Sequence, residues 1–225
     1  MAPILTDIMA DSPQDTLAVF ERERCSAILR TPYAEAVVPA LQAAVDGGFK
    51  IIECTLNTPG ALDAIHEFSR RSDLLVGAGT VLEISEAAAA VEAGARFLVS
   101  PVCDPKIINW CVEHGVVAIP GTFTPTEMLT AHRAGAAIVK FFPGPSDGPA
   151  TVRIIRGPLP FLRIFPTSGV TLENAAAFLD AGAFGLGFVN CLFEGDDLAA
   201  GRFEVIAERA RQMTEVVINH GSSCL

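Results

Sequence analysis

Eight short apolar runs alternate with amphipathic segments along the 225-residue chain, and this alternation limits the possible folds more than any other feature. Each run is too short for a helix of ordinary length, and most runs are bounded by Gly or Pro, as buried strands are. The runs are CSAIL at 25–29, FKIIECTL at 49–56, LLVGAGTV at 74–81, RFLVSP at 96–101, VVAIP at 116–120, AAIVKFFP at 136–143, RIFPT at 163–167 and FGLGFV at 184–189. Strands that alternate with helices predict a parallel sheet covered by helices.

The segments between the runs carry helix start and stop signals. Predicted helices cover 13–24, 33–46, 83–93, 125–134 and 171–181, and a last helix followed by a short polar tail covers 195–225. Eight strand–helix units in a chain of this length predict one α/β domain over 1–225, a closed (β/α)₈ TIM barrel with an N-terminal helix. The alternative is an open doubly wound sheet, but no G-x-G-x-x-G follows the first strand.

Charge and polar residues narrow the possible partners. Acidic residues outnumber basic ones by 26 to 16, for a net charge of −10, which argues against nucleic acid as a partner. No apolar run approaches the roughly 18 residues that cross a membrane, and the first residues lack a signal-peptide pattern, so we expect a cytoplasmic protein without a membrane partner. The six cysteines form no C-x-x-C pair and the four histidines lie far apart, so we expect free thiols and no metal site.

Lys140 fits its surroundings least among the polar residues. Reactive groups of a barrel lie at the carboxyl ends of its strands, where this chain has Arg30, Glu53, Thr55, Thr80, Ser100, Lys140, Thr167 and Ser168. Lys140 lies inside AAIVKFFP, whereas the other two lysines, Lys50 and Lys106, can be solvated. Burial lowers the pKa of a lysine and frees its amine to attack a carbonyl, so Lys140 is a candidate Schiff-base nucleophile. The alternative is a lysine paired with a carboxylate, or one that extends to solvent.

Glu53 is the second candidate. In FKIIECTL the period-2 alternation of a strand places Glu53 and Thr55 on one face. If that face is the barrel interior, the carboxylate lies near Lys140 and can move the protons that Schiff-base chemistry requires. The alternative is a plain buried Lys–Glu pair.

Arg30 directly follows the first apolar run. A guanidinium there can hold a substrate carboxylate with two parallel hydrogen bonds. The alternative is a solvated loop arginine. The GAGT segment at 77–80 brings backbone N–H groups close to a ligand, although glycines are common in turns.

A set of longer segments, in order and spacing, resembles the 2-keto-3-deoxy-6-phosphogluconate / 4-hydroxy-2-oxoglutarate aldolase family from about residue 27 to residue 193. The matching segments are AILR, GGFKIIECTLNTPGALDAI, VGAGTVL, AGARFLVSP, IPGTFTPTEMLTAHRAGA, VKFFPG, GPLP and FPTSGVTLENAAAFLDAGA. The resemblance implies a class I aldolase of carbohydrate metabolism, a (β/α)₈ barrel that assembles as a homotrimer. It implies Lys140 as the Schiff-base lysine and Glu53 as the general acid/base. It further implies that Thr80 and Pro101 line the pyruvyl pocket, that Arg30 and Thr167 bind the carboxylate, and that Phe142 is an aromatic wall beside the lysine.

The chain departs from the family at the end of the site where a phosphate would bind. Members with 6-phosphorylated substrates have T-G-G after the seventh strand and G-S after the eighth, whereas this chain has Thr167-Ser168-Gly169 and Val189-Asn190. Ser168, Gly169 and Asn190 are the expected substrate-binding residues there, and the loss of glycine predicts that a phosphorylated substrate is handled poorly. Members that cleave the gluconate derivative often carry an arginine two residues after Thr55, where this chain has Asn57. In this respect the chain resembles the branch of the family that acts on the galactonate derivative.

The predicted function is therefore cleavage of a 4-hydroxy-2-keto acid to pyruvate and an aldehyde through a Lys140 Schiff base. The expected partner is a small 2-keto acid, and no cofactor is expected. One alternative is a decarboxylase of oxaloacetate-type β-keto acids, because the same iminium can lose CO₂. Another is a barrel that binds a keto acid without catalysis.

Overall fold

The computed structural model describes residues 12–145 and 147–222. Its strands are β1 Cys25–Leu29, β2 Ile51–Thr55, β3 Leu75–Gly79, β4 Phe97–Val99, β5 Val117–Ile119, β6 Gly121–Thr122, β7 Val139–Phe141, β8 Ile164–Pro166 and β9 Leu186–Phe188. Its helices are α1 Pro13–Glu23, α2 Val37–Asp46, α3 Ala61–Ser69, α4 Ile84–Glu92, α5 Pro105–Glu113, α6 Pro125–Arg133, α7 Gly148–Arg156, α8 Ala175–Asp180, α9 Gly195–Ala200 and α10 Phe203–Ser222, with a 3₁₀ turn at Ala34–Ala36.

All paired strands are parallel, which confirms the predicted α/β class. One sheet has six strands in the order β5-β4-β3-β2-β1-β9, and a second sheet has the order β6-β7-β8. The fifth predicted strand, at 116–120, is β5, which ends before Pro120 because proline has no N–H to donate to a ladder. A further short strand, β6, follows Pro120 and was not predicted. Strand β5 pairs with β4, whereas β6 pairs with β7. Since the strands are parallel, the carboxyl ends within each sheet lie at one edge.

Two layers of apolar side chains alternate along the strands, as period 2 requires. In β2, Ile52 and Cys54 pack against the helices, whereas Ile51 packs inside the strands. Glu53 therefore points inward, which is the orientation that brings it near Lys140. The inner cluster contains Val19, Phe20, Ile51, Leu75, Phe97, Val99, Val117, Ile119, Ile138 and Phe165.

Helix α1 covers the amino-terminal ends of the strands. The Phe20 ring packs edge-on against Phe97 and Phe165, with centroids 5.0 and 5.6 Å apart. Full burial of such a ring contributes about 1.5–3 kcal/mol. The Ser12 hydroxyl accepts a hydrogen bond from the Asp15 N–H at 3.2 Å, and this cap fixes where α1 begins. With this end closed, the opposite ends of the strands remain open for a site.

Two predicted helices differ from the structure. The segment predicted over 171–181 is helical only in α8, because the Asn174 side chain accepts from Thr171 N–H and donates to the Gly169 carbonyl, both at 2.8 Å, and holds a turn. The last predicted helix is two helices, α9 and α10, because Gly201 adopts a φ of 65° at the end of α9.

Within residues 12–145 and 147–222, none of the helices combines the length and the apolar content that a bilayer crossing requires. The described cysteines, at positions 25, 54, 103, 111 and 191, are free thiols. Cys224 and residues 1–11, where a signal peptide would begin, lie outside the described residues.

Candidate active site

A cavity of about 290 Å³ opens at the carboxyl ends of β1, β7, β8 and β9. Seven of the ten predicted site residues line it: Arg30, Lys140, Phe142, Thr167, Ser168, Gly169 and Asn190. The remaining lining residues are Ile28, Val170, Thr171, Val189 and Cys191. The family resemblance predicts that these seven residues contact one substrate, although they come from four separate segments of the chain.

Lys140 lies at the centre of β7 and is 6% exposed. Its backbone is fixed on both sides, since its N–H donates to the Pro120 carbonyl at 2.9 Å and its carbonyl accepts from the Thr122 hydroxyl at 2.9 Å. Its Nζ atom lies 4.8 Å from the centroid of the Phe142 ring. Among the described residues, Lys140 forms no ion pair with a carboxylate.

The pKa of Lys140 is lowered from the ordinary lysine value. Burial is the main cause, because it disfavours the ammonium form. The negative charge of Glu53 raises this pKa and the positive charge of Arg30 lowers it. The net result is an amine that loses its proton more readily than a solvated lysine and that faces a cavity.

Glu53 is 2% exposed and lies on the inner face of β2. Its Oε1 atom has no hydrogen-bond partner among the described residues. Burial raises the pKa of this carboxyl, against the lowering effects of Lys140 and Arg30. Glu53, Lys140 and Thr167 line one small internal space below the main cavity. A carboxyl with a raised pKa beside a lysine with a lowered pKa is a pair suited to acid–base work.

Gly79 makes room for the Glu53 side chain, and sequence reasoning missed this role. A Cβ atom on Gly79 would lie 1.9 Å from Oε1 of Glu53. The available signal was the small GAGT segment, from which the sequence predicts only a close approach of backbone to ligand. A second glycine, Gly187 in β9, likewise makes room for Thr167, whose Cγ2 would lie 2.8 Å from a Cβ there.

Thr167 and Arg30 offer polar groups to the cavity in different ways. Thr167 is buried, and its hydroxyl has no hydrogen-bond partner among the described residues. Arg30 is exposed and donates to the Thr80 hydroxyl at 3.2 Å. Thr80 has a φ of 58°, a left-handed conformation that is uncommon outside glycine. A hydroxyl held at this position orients the guanidinium over the cavity.

Thr80 and Pro101 lie outside the lining of the cavity. Thr80 reaches the site through Arg30, as described above. The Pro101 carbonyl packs so closely on Gly121 that a Cβ there would lie 2.3 Å from its oxygen. Gly121 is the register partner of Lys140 in the β6–β7 pair, so Pro101 supports the strand beside the lysine.

The cavity continues toward a second one of about 480 Å³, which shares Arg30 and Asn190 with it. Tyr33, Phe193, Glu194 and Asp196 are among the residues that line this outer cavity. The basic residues in the two linings are Arg30 and Lys140. The outer end of the site is therefore polar and acidic in character.

Across the described residues, no three His, Cys, Asp or Glu side chains come together in a group that could hold a metal ion.

The profile of the family "KDPG and KHG aldolase" matches residues 18–207. A 2-dehydro-3-deoxy-phosphogluconate aldolase of Treponema pallidum is 33% identical over 88% of this chain and 95% of its own length. A probable 2-dehydro-3-deoxy-6-phosphogalactonate aldolase of Rhizobium meliloti is 39% identical over 71% of this chain and 76% of its own length.

A solved structure of similar fold is the KDPG aldolase of Legionella pneumophila, with pyruvate captured at low pH as a covalent carbinolamine intermediate. It is 26% identical, covers 87% of this chain and 96% of its own, and superposes with a TM-score of 0.79. Because the family profile covers most of the sequence and the relatives align over most of both chains, this chain belongs to the KDPG and KHG aldolase family.

Proposed function

We propose that this protein is a class I aldolase that cleaves a 4-hydroxy-2-keto acid to pyruvate and an aldehyde through a Schiff base on Lys140. The observation that carries the proposal is a buried lysine with a lowered pKa that faces a cavity beside a buried glutamate. Family membership supports the same reaction, since the relatives are named aldolases and one was captured as a carbinolamine of pyruvate.

The reaction begins when the neutral amine of Lys140 attacks the C2 carbonyl carbon of the substrate. The resulting carbinolamine loses water to give an iminium, and Glu53 supplies the proton that the departing hydroxyl needs. Glu53 then takes the proton of the C4 hydroxyl as the C3–C4 bond breaks, and the electron pair of that bond moves into the iminium to give an enamine. The aldehyde leaves, the enamine is protonated at C3, and water hydrolyses the iminium to release pyruvate and the free lysine. The iminium nitrogen accepts the electron pair of the C3–C4 bond, so the proposed sequence uses no metal and no cofactor.

The other predicted residues receive roles in binding. We assign the substrate C1 carboxylate to Arg30 and the Thr167 hydroxyl, because one provides a charged donor and the other a buried hydroxyl without a partner. Phe142 is the wall beside Lys140. Thr80 orients Arg30, and Pro101 acts through the strand next to Lys140 rather than by contact.

At the outer end, Ser168, Gly169 and Asn190 are proposed to contact the part of the substrate beyond C4. They line the cavity farther along the strand ends, next to Val189. Ser168 and Asn190 can donate side-chain hydrogen bonds to a hydroxyl or a carboxylate.

We further propose that the two sheets close into one (β/α)₈ barrel that forms a single domain. Two observations support closure. Only Pro120 separates β5 from β6, and the Phe184 N–H donates to the Ile164 carbonyl at 2.8 Å between the β8 and β9 segments. If β5 and β6 are halves of one strand, the sheets together contain eight strands.

The homotrimer and the cytoplasmic location are proposed from the sequence and the family resemblance, and light scattering of the purified protein tests the trimer.

The decisive assay for the function measures pyruvate release with lactate dehydrogenase from a panel of 4-hydroxy-2-keto acids, phosphorylated and unphosphorylated. We expect turnover with at least one of them by the wild type and none by Lys140→Ala. Lys106→Ala is the matched control, since Lys106 is exposed at the start of α5. Oxaloacetate belongs in the panel, because pyruvate release from it alone would identify a decarboxylase instead.

A further inference from the structure

Three arginines surround a third cavity, which lies at the end of the strands opposite the lysine site and is called the three-arginine cavity below. Arg24, Arg156 and Arg163 line this cavity of about 430 Å³. Arg24 directly precedes β1 and Arg163 directly precedes β8, so both lie at amino-terminal strand ends. Lys140 faces the cavity at the carboxyl ends, and the two cavities share no lining residue. The three-arginine cavity has no part in the proposed aldolase reaction.

The concentration of positive charge is unusual for this chain. The protein has 16 basic residues against 26 acidic ones, yet three of the 16 meet here. Glu21 is the carboxylate in the lining. Among the residues that the structure describes, none of the three arginines forms an ion pair. Three guanidiniums that converge beside a single carboxylate, without an ion pair to it, favour the binding of an anion.

Arg24 lies at a backbone position that favours glycine. It ends α1 in the left-handed conformation with a φ of 55°, and its N–H donates to the Phe20 carbonyl. Glycine is the usual residue at such a helix end, because a Cβ is disfavoured there. The backbone conformation therefore gives no reason for an arginine here, whereas the Arg24 side chain lines the cavity.

The other two guanidiniums are held in place. Arg156 donates from Nη1 to the Gly182 carbonyl and from Nη2 to the Pro160 carbonyl, while its buried Nε has no hydrogen-bond partner among the described residues. The Arg163 guanidinium lies 5.6 Å from the centroid of the Phe184 ring. Donors that are fixed before a ligand arrives lose less side-chain entropy on binding.

We propose that this cavity is an anion site for a phosphate group, either free phosphate or the phosphate of a small ester. A phosphate dianion offers three or four acceptor oxygens in a tetrahedral arrangement, which suits donors that approach from three separate segments, α7 and the residues before β1 and β8. A single carboxylate offers two oxygens in one plane and fits three converging guanidiniums less well.

Calorimetric titration with inorganic phosphate, at constant ionic strength, tests the site on the full-length protein. We expect saturable binding by the wild type and binding weaker by about tenfold or more in Arg24→Gly and in Arg163→Gln, since each removes a charge-assisted hydrogen bond. Arg24→Gly also relieves the left-handed residue, so its melting temperature should be equal to or above that of the wild type, which separates lost binding from lost folding.

Two controls locate the bound phosphate. Arg153→Gln removes the same charge from an exposed position on α7 outside the cavity and should leave the affinity unchanged. Arg30→Gln removes the arginine of the lysine site and should also leave it unchanged. A parallel titration with glycerol 3-phosphate distinguishes the sources: tighter binding of the ester assigns the site to a phosphate ester, and tighter binding of inorganic phosphate assigns it to the free ion. The proposal is overturned by no saturable binding, by wild-type affinity in both cavity variants, or by loss of affinity in Arg30→Gln alone.

Discussion

Oε1 of Glu53 lies against Gly79 in the neighbouring strand, so closely that a Cβ on Gly79 would be 1.9 Å from it. Glu53 and Gly77, and Thr55 and Gly79, are register partners in the β2–β3 pair. The missing side chain on β3 is therefore what allows a carboxylate to turn toward Lys140 inside the strands. Glycine is needed at position 79 for the space that it leaves to the Glu53 side chain and not for its backbone conformation, because its φ is not in the left-handed region.

Gly79→Ala should lower kcat by at least about tenfold, approaching the roughly 10²–10⁴-fold loss expected when a positioned acid/base is removed. The added methyl displaces the carboxylate but asks for no new backbone conformation. The measurement is steady-state pyruvate release. Gly157→Ala is the control, since a Cβ there would meet its nearest neighbour, the Ile154 carbonyl, at an ordinary 3.4 Å. A Gly79→Ala enzyme with wild-type kcat would show that the position of Glu53 does not matter.

Glu53→Gln should lower kcat by roughly 10²–10⁴-fold, because an amide cannot take or supply the protons of the C4 hydroxyl and the carbinolamine. Schiff-base formation should survive in part, since Lys140 keeps its lowered pKa. Single-turnover measurements separate the two steps. A loss smaller than about tenfold would reduce Glu53 to a charge partner of Lys140.

The pH dependence of imine formation should shift in opposite directions in two variants. Lys140 attacks as the neutral amine, and its lowered pKa places the acid limb of the rate below that of an ordinary lysine. Arg30 lowers this pKa, so Arg30→Gln should move the limb to higher pH; Glu53 raises it, so Glu53→Gln should move the limb to lower pH. The rate of trapping by pyruvate and cyanoborohydride, compared with the wild type at each pH, provides the measurement. Shifts in the same direction would contradict this electrostatic account.

A phosphorylated substrate should be handled no better than an unphosphorylated one. Val189 and Asn190 line the outer end of the cavity, where the family resemblance implies a Gly-Ser pair in members with phosphorylated substrates. Glu194 and Asp196 add negative charge beyond it. Each lost hydrogen bond to a phosphate oxygen would cost about 1.5–3 kcal/mol. We expect kcat/KM for 4-hydroxy-2-oxoglutarate to equal or exceed that for 2-keto-3-deoxy-6-phosphogluconate.

The matching gain-of-function variant combines Ser168→Gly, Val189→Gly and Asn190→Ser. It should raise the ratio of kcat/KM for the phosphorylated over the unphosphorylated substrate, because it restores close access to backbone N–H groups. Cys191→Ser, which alters a neighbouring lining side chain without freeing the backbone, should leave the ratio unchanged. If kcat/KM of the wild type is tenfold or more higher for the phosphorylated substrate, the predicted preference for the unphosphorylated substrate is wrong.

Local patterns in the sequence predicted eight of the nine described strands, all but β6, and they singled out Glu53 and Lys140, which the structure buries. Period-2 alternation placed Glu53 and Thr55 on one face of β2 but did not say which face is the inner one, and the apolar run around Lys140 correctly indicated a buried amine. The helix ends at Asn174 and Gly201 were missed, because a side chain bonded to its own turn and a left-handed glycine interrupt helical patterns that look continuous in sequence.

Features that depend on distant segments were not predictable from one sequence. The contact of Gly79 with Glu53 and that of Gly187 with Thr167 join neighbouring strands, and nothing local distinguishes these glycines from those of ordinary turns. The three-arginine cavity is assembled from residues 24, 156 and 163, which show no pattern along the chain.

Covalent trapping tests the central claim most directly. The wild-type protein, incubated with pyruvate and reduced with borohydride, is digested and analysed by mass spectrometry. We predict that the peptide containing Lys140 gains one reduced pyruvyl group in parallel with loss of activity, that Lys140→Ala and Lys140→Arg gain none, and that the peptides containing Lys50 and Lys106 stay unmodified. An unmodified Lys140 peptide in an enzyme that still releases pyruvate, or a modification on either of the other lysines that tracks the loss of activity, would contradict the Schiff-base account.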